Sequence, residues 1–266
     1  MFFPINIMLE SLISVKEGLK STFSIFYFSS LITLVSFIIS FLIFKQDVGL
    51  YTVFFITFGL TPFMYKLNLY VGKKEFSAEE RRKRSFLSFY REIILSYAAV
   101  FAGITLVLSL LYLLLPYEIS ERTFKTQIEE IKAIRGYFSF GGTFQTIFIN
   151  NVGVLFLSFL LSFLYGSGAI FILSWNASIL ATAIGMTAKT LGGIKALPLA
   201  AMVYFPHGSL EILAYFLAAI AGGIVSYFSL KEKLERYVLE DAFFLLSLGI
   251  FLLLIAAAIE TLSMLL

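Results

Sequence analysis

The sequence predicts an all-α membrane protein, a bundle of about seven transmembrane helices, and three observations support this fold class. Hydrophobic residues make up 59% of the 266 residues and charged residues only 14%, whereas soluble domains carry about 25% charged residues. Several apolar runs approach the roughly 20 residues that a helix needs to cross the hydrocarbon core. Phe (31) and Tyr (14) are abundant, as is typical of lipid-facing and interfacial positions. A β-barrel would instead show short segments of alternating hydrophobicity.

The apolar segments are separated by polar, proline or glycine breaks. Lys45-Gln46-Asp47 separates the first two, Pro116 ends the third, and Gly166-Ser167-Gly168 separates the fourth from the fifth. Glycine, proline and short polar clusters commonly end regular structure. The seven predicted segments are residues 23–44, 48–64, 93–115, 147–165, 169–187, 209–230 and 243–266.

The distribution of positive charge predicts the orientation of the bundle. Short cytoplasmic loops carry an excess of Lys and Arg, and the link between the second and third segments is the most basic loop, with Lys66, Lys73, Lys74, Arg81, Arg82, Lys83, Arg84 and Arg91. We therefore place this link and the N-terminus in the cytoplasm. The C-terminus and residues 117–146 then lie outside. A second basic loop, with Lys231, Lys233 and Arg236, falls inside and agrees with this cell-membrane topology.

Residues 188–205 leave two interpretations open. They are apolar, contain Gly192-Gly193 and Pro198, and carry only Lys189 and Lys195 as charges. They form either an interfacial or re-entrant helix or a further crossing. A further crossing would move the second basic loop outside, so we predict a re-entrant helix.

The loop outside the membrane is expected to contain a short amphipathic helix. Residues 117–146 balance four acidic against four basic residues. Within them, residues 118–136 place Phe124, Ile128 and Ile131 on one helical face, a spacing typical of an amphipathic helix.

Small residues recur at helix-packing spacing in two segments. They are Ala177, Ala181 and Gly185 in the fifth and Ala214, Ala218 and Gly222 in the sixth. Such stripes let two helices approach closely. Packing within one chain is the first interpretation, and homodimerisation is the alternative.

Polar residues from three segments fall at similar depth in this topology, and one from a fourth segment lies nearer the middle. Residues 150 and 151 lie near the outer end of the fourth segment, residues 207 and 211 in the first turns of the sixth, and residue 260 in the outer third of the seventh. Residue 176 lies nearer the middle of the fifth. A charged group inside a membrane span costs roughly 3 kcal/mol on insertion scales and marks a functional site by default. The candidate functional cluster is Asn150, Asn151, Asn176, His207, Glu211 and Glu260.

The residue types of this cluster leave several chemistries open. The polar side chains can join helices by hydrogen bonds, or His207, Glu211 and Glu260 can form an ion or proton site. One His and two Glu can also hold zinc, but the second His of H-E-x-x-H is missing. The chain has no cysteine, which excludes thiolate metal sites and a cysteine nucleophile. We therefore assign no catalytic, metal or cofactor residue, and we expect a bilayer rather than a nucleic acid as partner.

Several of these residues lie in motifs that resemble the stage II sporulation protein M family of membrane proteins. The matching pieces are Phe148-Ile149-Asn150-Asn151, Trp175-Asn176-Ala177, Pro206-His207-Gly208-Ser209-Leu210-Glu211, Ala218-Ala219-Ile220-Ala221-Gly222-Gly223 and Ala258-Ile259-Glu260. The family often has Asn-Gly where this chain has Asn176-Ala177. The resemblance covers about residues 93–266, which implies a family-like membrane core there and an N-terminal hairpin with its basic link at 1–92.

The resemblance also implies a class of function. In spore-forming bacteria a relative helps to assemble cell-wall hydrolases, but many relatives occur in organisms that do not sporulate, so that role does not carry over. Our first hypothesis is a non-enzymatic scaffold or assembly factor for other membrane or extracytoplasmic proteins. The alternative is an ion- or proton-coupled transporter or channel-like protein that uses the polar cluster. The third hypothesis is an intramembrane metal-dependent enzyme.

Overall fold

The computed structural model describes residues 21–75, 86–136, 143–232 and 234–265, and every regular element among them is a helix. The α-helices are α1 (Thr22–Ile43), α2 (Val48–Glu75), α3 (Phe86–Leu114), α4 (Tyr117–Thr123), α5 (Lys125–Gly136), α6 (Thr143–Tyr165), α7 (Ala169–Leu191), α8 (Leu197–Leu230) and α9 (Arg236–Leu265). Within the described ranges, seven of them are long and apolar enough to cross a membrane, namely α1, α2, α3, α6, α7, α8 and α9. The predicted transmembrane bundle is confirmed.

Local chemistry explains several helix ends. The hydroxyl of Ser21 accepts a hydrogen bond from the Ser24 amide at 3.3 Å and caps the start of α1, as serine commonly does. The turn between α1 and α2 contains Asp47 at φ 53°, a conformation that Asp adopts more readily than most residues. Gly192, at φ 121°, ends α7, since glycine enters this region without steric cost.

The re-entrant helix predicted for residues 188–205 is not a separate element. Residues 188–191 complete α7, a 3₁₀ turn follows at Gly193–Ala196, and Leu197 begins α8. The sequence analysis begins the sixth segment at residue 209, after Pro206, but the proline lies inside α8. Neighbouring helices satisfy backbone groups that a proline frees in a membrane bundle, so the helix continues through it. With 34 residues, α8 is about 51 Å long.

The predicted amphipathic helix is present as two short helices. α4 and α5 meet at Phe124, and Phe124, Ile128 and Ile131 are all buried, as their spacing predicted. The ring of Phe124 packs against Tyr112 of α3, with centroids 5.4 Å apart. The apolar face of this segment therefore rests on the bundle.

Lys189 of α7 ties the same segment to the end of α3. Its Nζ donates to the carbonyl oxygens of Tyr112 at 3.3 Å and Leu115 at 3.0 Å, and to the Ser120 hydroxyl at 2.9 Å. Carbonyl groups at a helix C-terminus lack partners within the helix, so one lysine supplies donors to α3 and fixes α4 beside it.

α8 is the central helix of the bundle and packs mainly against α6 and α9. A Cβ atom at Gly222 would lie 2.3 Å from the carbonyl oxygen of Phe159 in α6, and one at Gly185 would lie 2.8 Å from Cβ of Tyr112 in α3. The two small-residue stripes therefore allow close packing within the chain. Homodimerisation stays a prediction.

α3 separates two ends of the bundle. The basic link comes before α3, and α4 comes directly after it. The start of α3 therefore lies at one end, and α4–α5 lie at the other, which we name the α5 end. The sequence topology places this end outside the cell.

Candidate functional site: a polar cavity at the α5 end

All residues of the predicted cluster line one cavity of about 530 Å³. The cavity lies among α5, α6, α7, α8 and α9, with Glu130 of α5 and Met264 near the end of α9 also in its wall. Asn150 and Glu130 are exposed, so the cavity opens towards the α5 end. The fold thus brings together residues that are more than a hundred positions apart in the chain.

Two cluster members lie further along their helix than the sequence predicted. We expected His207 and Glu211 in the first turns of a helix beginning near residue 209. Because α8 begins at Leu197, a further ten residues precede His207, and both residues lie in the interior of the helix. The cavity therefore borders the middle of a helix that is long and apolar enough to cross a membrane.

A hydrogen-bonded network joins three helices at the inner wall of the cavity. The side-chain amide of Asn151 in α6 donates to Oε1 of Glu211 in α8 at 2.7 Å. The hydroxyl of Tyr215 donates to Oδ1 of Asn151 at 3.0 Å. The carboxyl group of Glu211 also contacts that of Glu260 in α9. Asn151 and Tyr215 are buried, so the bond between them is shielded from bulk solvent.

His207 is separate from this network. His207 and Glu211 are both described, and neither a hydrogen bond nor an ion pair joins them, although their spacing puts them on one face of α8. The imidazole instead lies near the ring of Tyr204, with centroids 6.4 Å apart. The Tyr204 hydroxyl is 2.9 Å from that of Thr187 in α7. Glu211 is directed by partners on α6 and α9 rather than by its neighbour four residues away.

The other two predicted residues contribute surface to the cavity. The Asn176 amide donates to the Ile172 carbonyl of its own helix at 2.8 Å, which leaves its oxygen available to the cavity. Asn150 is exposed, and among the described residues no hydrogen bond of its side chain is found. Both residues make the wall polar without joining helices.

The charge of the wall favours cations. Its ionisable residues are Glu130, Glu211, Glu260 and His207, together with Tyr204 and Tyr215, and neither Lys nor Arg occurs among its described lining residues. Two carboxyl groups in contact in a partly buried site cannot easily both stay ionised without a counter-charge. The contact of Glu211 with Glu260 therefore suits a shared proton or a bound cation. Within the described ranges, no group of three or more His, Asp or Glu side chains is arranged to hold a metal ion.

Sequence reasoning missed Tyr215, Tyr204 and Glu130. Tyr215 follows Glu211 by four residues, and this repeated spacing would have placed it on the cavity face of α8. Its residue type alone gave no signal, because tyrosine is common at membrane interfaces. Glu130 had no comparable signal, since its position depends on how α5 docks on the bundle.

The family comparison agrees with the resemblance noted in the sequence. The family model described as Stage II sporulation protein M matches residues 29–263. The chain belongs to this family. The match covers all six cluster residues of this stage II sporulation protein M family protein, as well as nearly all of the N-terminal helix pair. It is therefore wider than the resemblance over residues 93–266, and the division into two parts at residue 92 stays a prediction. Comparison with curated proteins and with solved structures gave no match.

Proposed function

We propose that this integral membrane protein is a proton-coupled transporter of cations, in which Glu211 and Glu260 form the binding site. The observation that supports the proposal is the cavity of about 530 Å³ with all six predicted polar residues in its wall. Pockets of about 300–1,000 Å³ are the usual size of small-molecule sites. The positive-inside rule predicts that its opening faces the outside of the cell.

The arrangement of carboxyl groups supports transport over a purely structural role. Helices in a membrane can be joined by neutral side chains such as those of Asn151 and Tyr215. Two glutamates in contact add an insertion cost of several kcal/mol, which structure alone does not require. The binding of protons or cations by the two carboxyl groups would explain why the protein has them despite this insertion cost.

The site suggests a simple exchange. At rest, the two carboxyl groups share one proton and carry one negative charge. A monovalent cation that enters between them displaces this proton to water in the cavity, and the pair becomes doubly ionised around the cation. When the cation leaves, a proton returns to the pair. The Asn151 amide holds Glu211 in position in both states, because it can donate to a charged or a neutral carboxyl oxygen.

The scaffold hypothesis is the other outcome of the test. A scaffold would bind its partners through exposed surfaces, such as the outer side of α5 with Lys125 and Glu129, which form an exposed ion pair at 3.6 Å. Substitutions in the cavity that leave the fold intact would then leave partner binding intact.

Proton flux into reconstituted vesicles tests the proposal, because the exchange of one monovalent cation for one proton moves no net charge. Proteoliposomes that hold a pH-sensitive dye and a pH gradient would be exposed to Na⁺, K⁺ and a series of quaternary ammonium ions of increasing size. At least one cation is expected to drive a proton flux that depends on the gradient. The double variant Glu211→Gln, Glu260→Gln should abolish it. The matched control is Glu240→Gln, since Glu240 lies exposed on α9 in an ion pair with Arg236 and outside the cavity.

The result can contradict the proposal in two ways. Proton fluxes that are equal in the native protein and the double variant would remove the carboxyl pair from the mechanism. The absence of proton flux with every cation tested, from protein shown to be folded, would favour the scaffold hypothesis.

A further inference from the structure

A second cavity, also of about 530 Å³, lies among α3, α7 and α8. Its described lining residues include no charged side chain, and apolar residues such as Ile94, Leu180 and Phe216 make up most of the wall. The polar cavity described above and this apolar cavity thus offer opposite chemistry.

The two cavities are adjacent. They share five lining residues, namely Phe101, Leu180, Tyr204, Gly208 and Ile212. Gly208 is buried, and no described atom lies within 4 Å of a Cβ atom built on it. The wall between the cavities is therefore thin at Gly208, where a side chain would otherwise project into free space.

The apolar cavity has access to the lipid-facing surface of the bundle. Leu106 of α3 and Phe205 of α8 line it, and their exposed fractions are 39% and 64%. Both belong to helices that are long and apolar enough to cross the membrane. An alkyl chain can therefore enter sideways from the bilayer, while a polar group reaches the other cavity from the α5 end.

We infer that the two cavities together bind a cationic amphiphile, with its amine head at Glu211 and Glu260 and its alkyl chain in the apolar cavity. Charge complementarity selects the head, because the polar wall carries carboxyl groups and lacks Lys and Arg among its described residues. The shape and the apolar lining of the second cavity select the alkyl chain. The assignment of the head rests on the proposed function, whereas the assignment of the chain rests on the second cavity alone.

Photo-crosslinking tests this inference on the full chain in lipid nanodiscs. The probe is a dodecylamine with a diazirine at the end of its chain, and the matching alcohol is the uncharged control. The amine should label peptides from α3 and α8 around Leu106 and Phe205. Unlabelled dodecylamine should suppress this labelling, and the alcohol should label the same peptides about tenfold less, a difference of one decade in affinity.

Two glycine variants distinguish labelling at the proposed site from labelling by general contact with lipid. Gly208→Leu fills the thin wall between the cavities and should reduce labelling by the amine about tenfold. Gly153→Leu is the matched control, because Gly153 of α6 is exposed, has no described atom within 4 Å of its added Cβ and lines neither cavity. It should label like the native protein.

The outcomes distinguish this inference from the proposed function. Equal labelling by amine and alcohol, or full labelling of Gly208→Leu, would overturn the inference even if small cations drive a proton flux. Specific labelling that Gly208→Leu removes would support it even if every cation fails to drive a proton flux. In that case the amphiphile would be a bound ligand of a protein that does not transport it.

Discussion

Replacing Asn151 by alanine removes a side chain of α6 that bonds to two residues of α8 at once, and this variant tests the polar network most simply. Asn151 donates to Glu211 at 2.7 Å and accepts from Tyr215 at 3.0 Å. Hydrogen bonds between side chains in a membrane contribute about 0.6 kcal/mol on average and up to about 1.7 kcal/mol. The free energy of unfolding should therefore fall by about 1–3 kcal/mol for the two bonds.

Asn150→Ala is the matched control for this variant. Asn150 is adjacent in the chain and is the same residue type, but it is exposed. Its removal should change the free energy of unfolding by less than about 0.5 kcal/mol, as for most exposed positions. The measurement is reversible unfolding by SDS in mixed micelles, followed by circular dichroism.

A double-mutant cycle with Tyr215→Phe isolates one bond of the network. Phenylalanine keeps the ring and removes only the hydroxyl that donates to Asn151. The coupling energy between Asn151→Ala and Tyr215→Phe should be about 0.6 kcal/mol or more. Equal losses for Asn150→Ala and Asn151→Ala, together with a coupling energy of zero, would refute the network.

Three further predictions concern packing, docking and topology. Gly222→Ala should destabilise the bundle by about 1–3 kcal/mol, because the added Cβ would clash with a backbone oxygen of α6. The control Gly153→Ala should not destabilise it, and equal stabilities of the two variants in the unfolding assay would contradict the packing. Lys189→Met should lower the free energy of unfolding by about 2 kcal/mol and speed proteolysis of α4–α5, and an unchanged cleavage rate would argue against the lysine's role. The chain lacks cysteine, so single cysteines at the exposed positions of Glu129 and Lys231 can be labelled without background. An impermeant reagent applied outside intact cells should label Glu129→Cys but not Lys231→Cys, and the reverse pattern would invert the topology.

The sequence was sufficient for the bundle and for most of its helices. Apolar length and breaks such as Gly166-Ser167-Gly168 predicted seven segments, because a membrane accepts only helices or closed barrels as spanning structures. The same reasoning failed around Pro206. Proline ends helices in water more often than in a packed membrane bundle, so the start of α8 was placed too late in the chain.

The sequence could predict which residues belong to the candidate site, but not which of them contact each other. Charge asymmetry and helix order put five of the six polar residues at similar depth, and the structure places all six around one cavity. Spacing alone suggested that His207 would accompany Glu211, since residues four apart share a helix face. The actual partners, Asn151 and Glu260, come from α6 and α9, and helix periodicity carries no information about which helices become neighbours. The apolar cavity had no sequence signal for the same reason.

The central claim is that water and cations reach the Glu211–Glu260 site from the α5 end, and cysteine accessibility measures this directly. Asn176→Cys places a thiol in the cavity wall, and Ser174→Cys places one on the same helix at a fully buried position. A cationic, impermeant thiosulfonate should modify Asn176→Cys about tenfold or more faster than its anionic analogue, because carboxyl groups concentrate cations in the cavity. It should leave Ser174→Cys unmodified. Equal, slow modification of both positions by both reagents would show a dry helix contact and contradict the account.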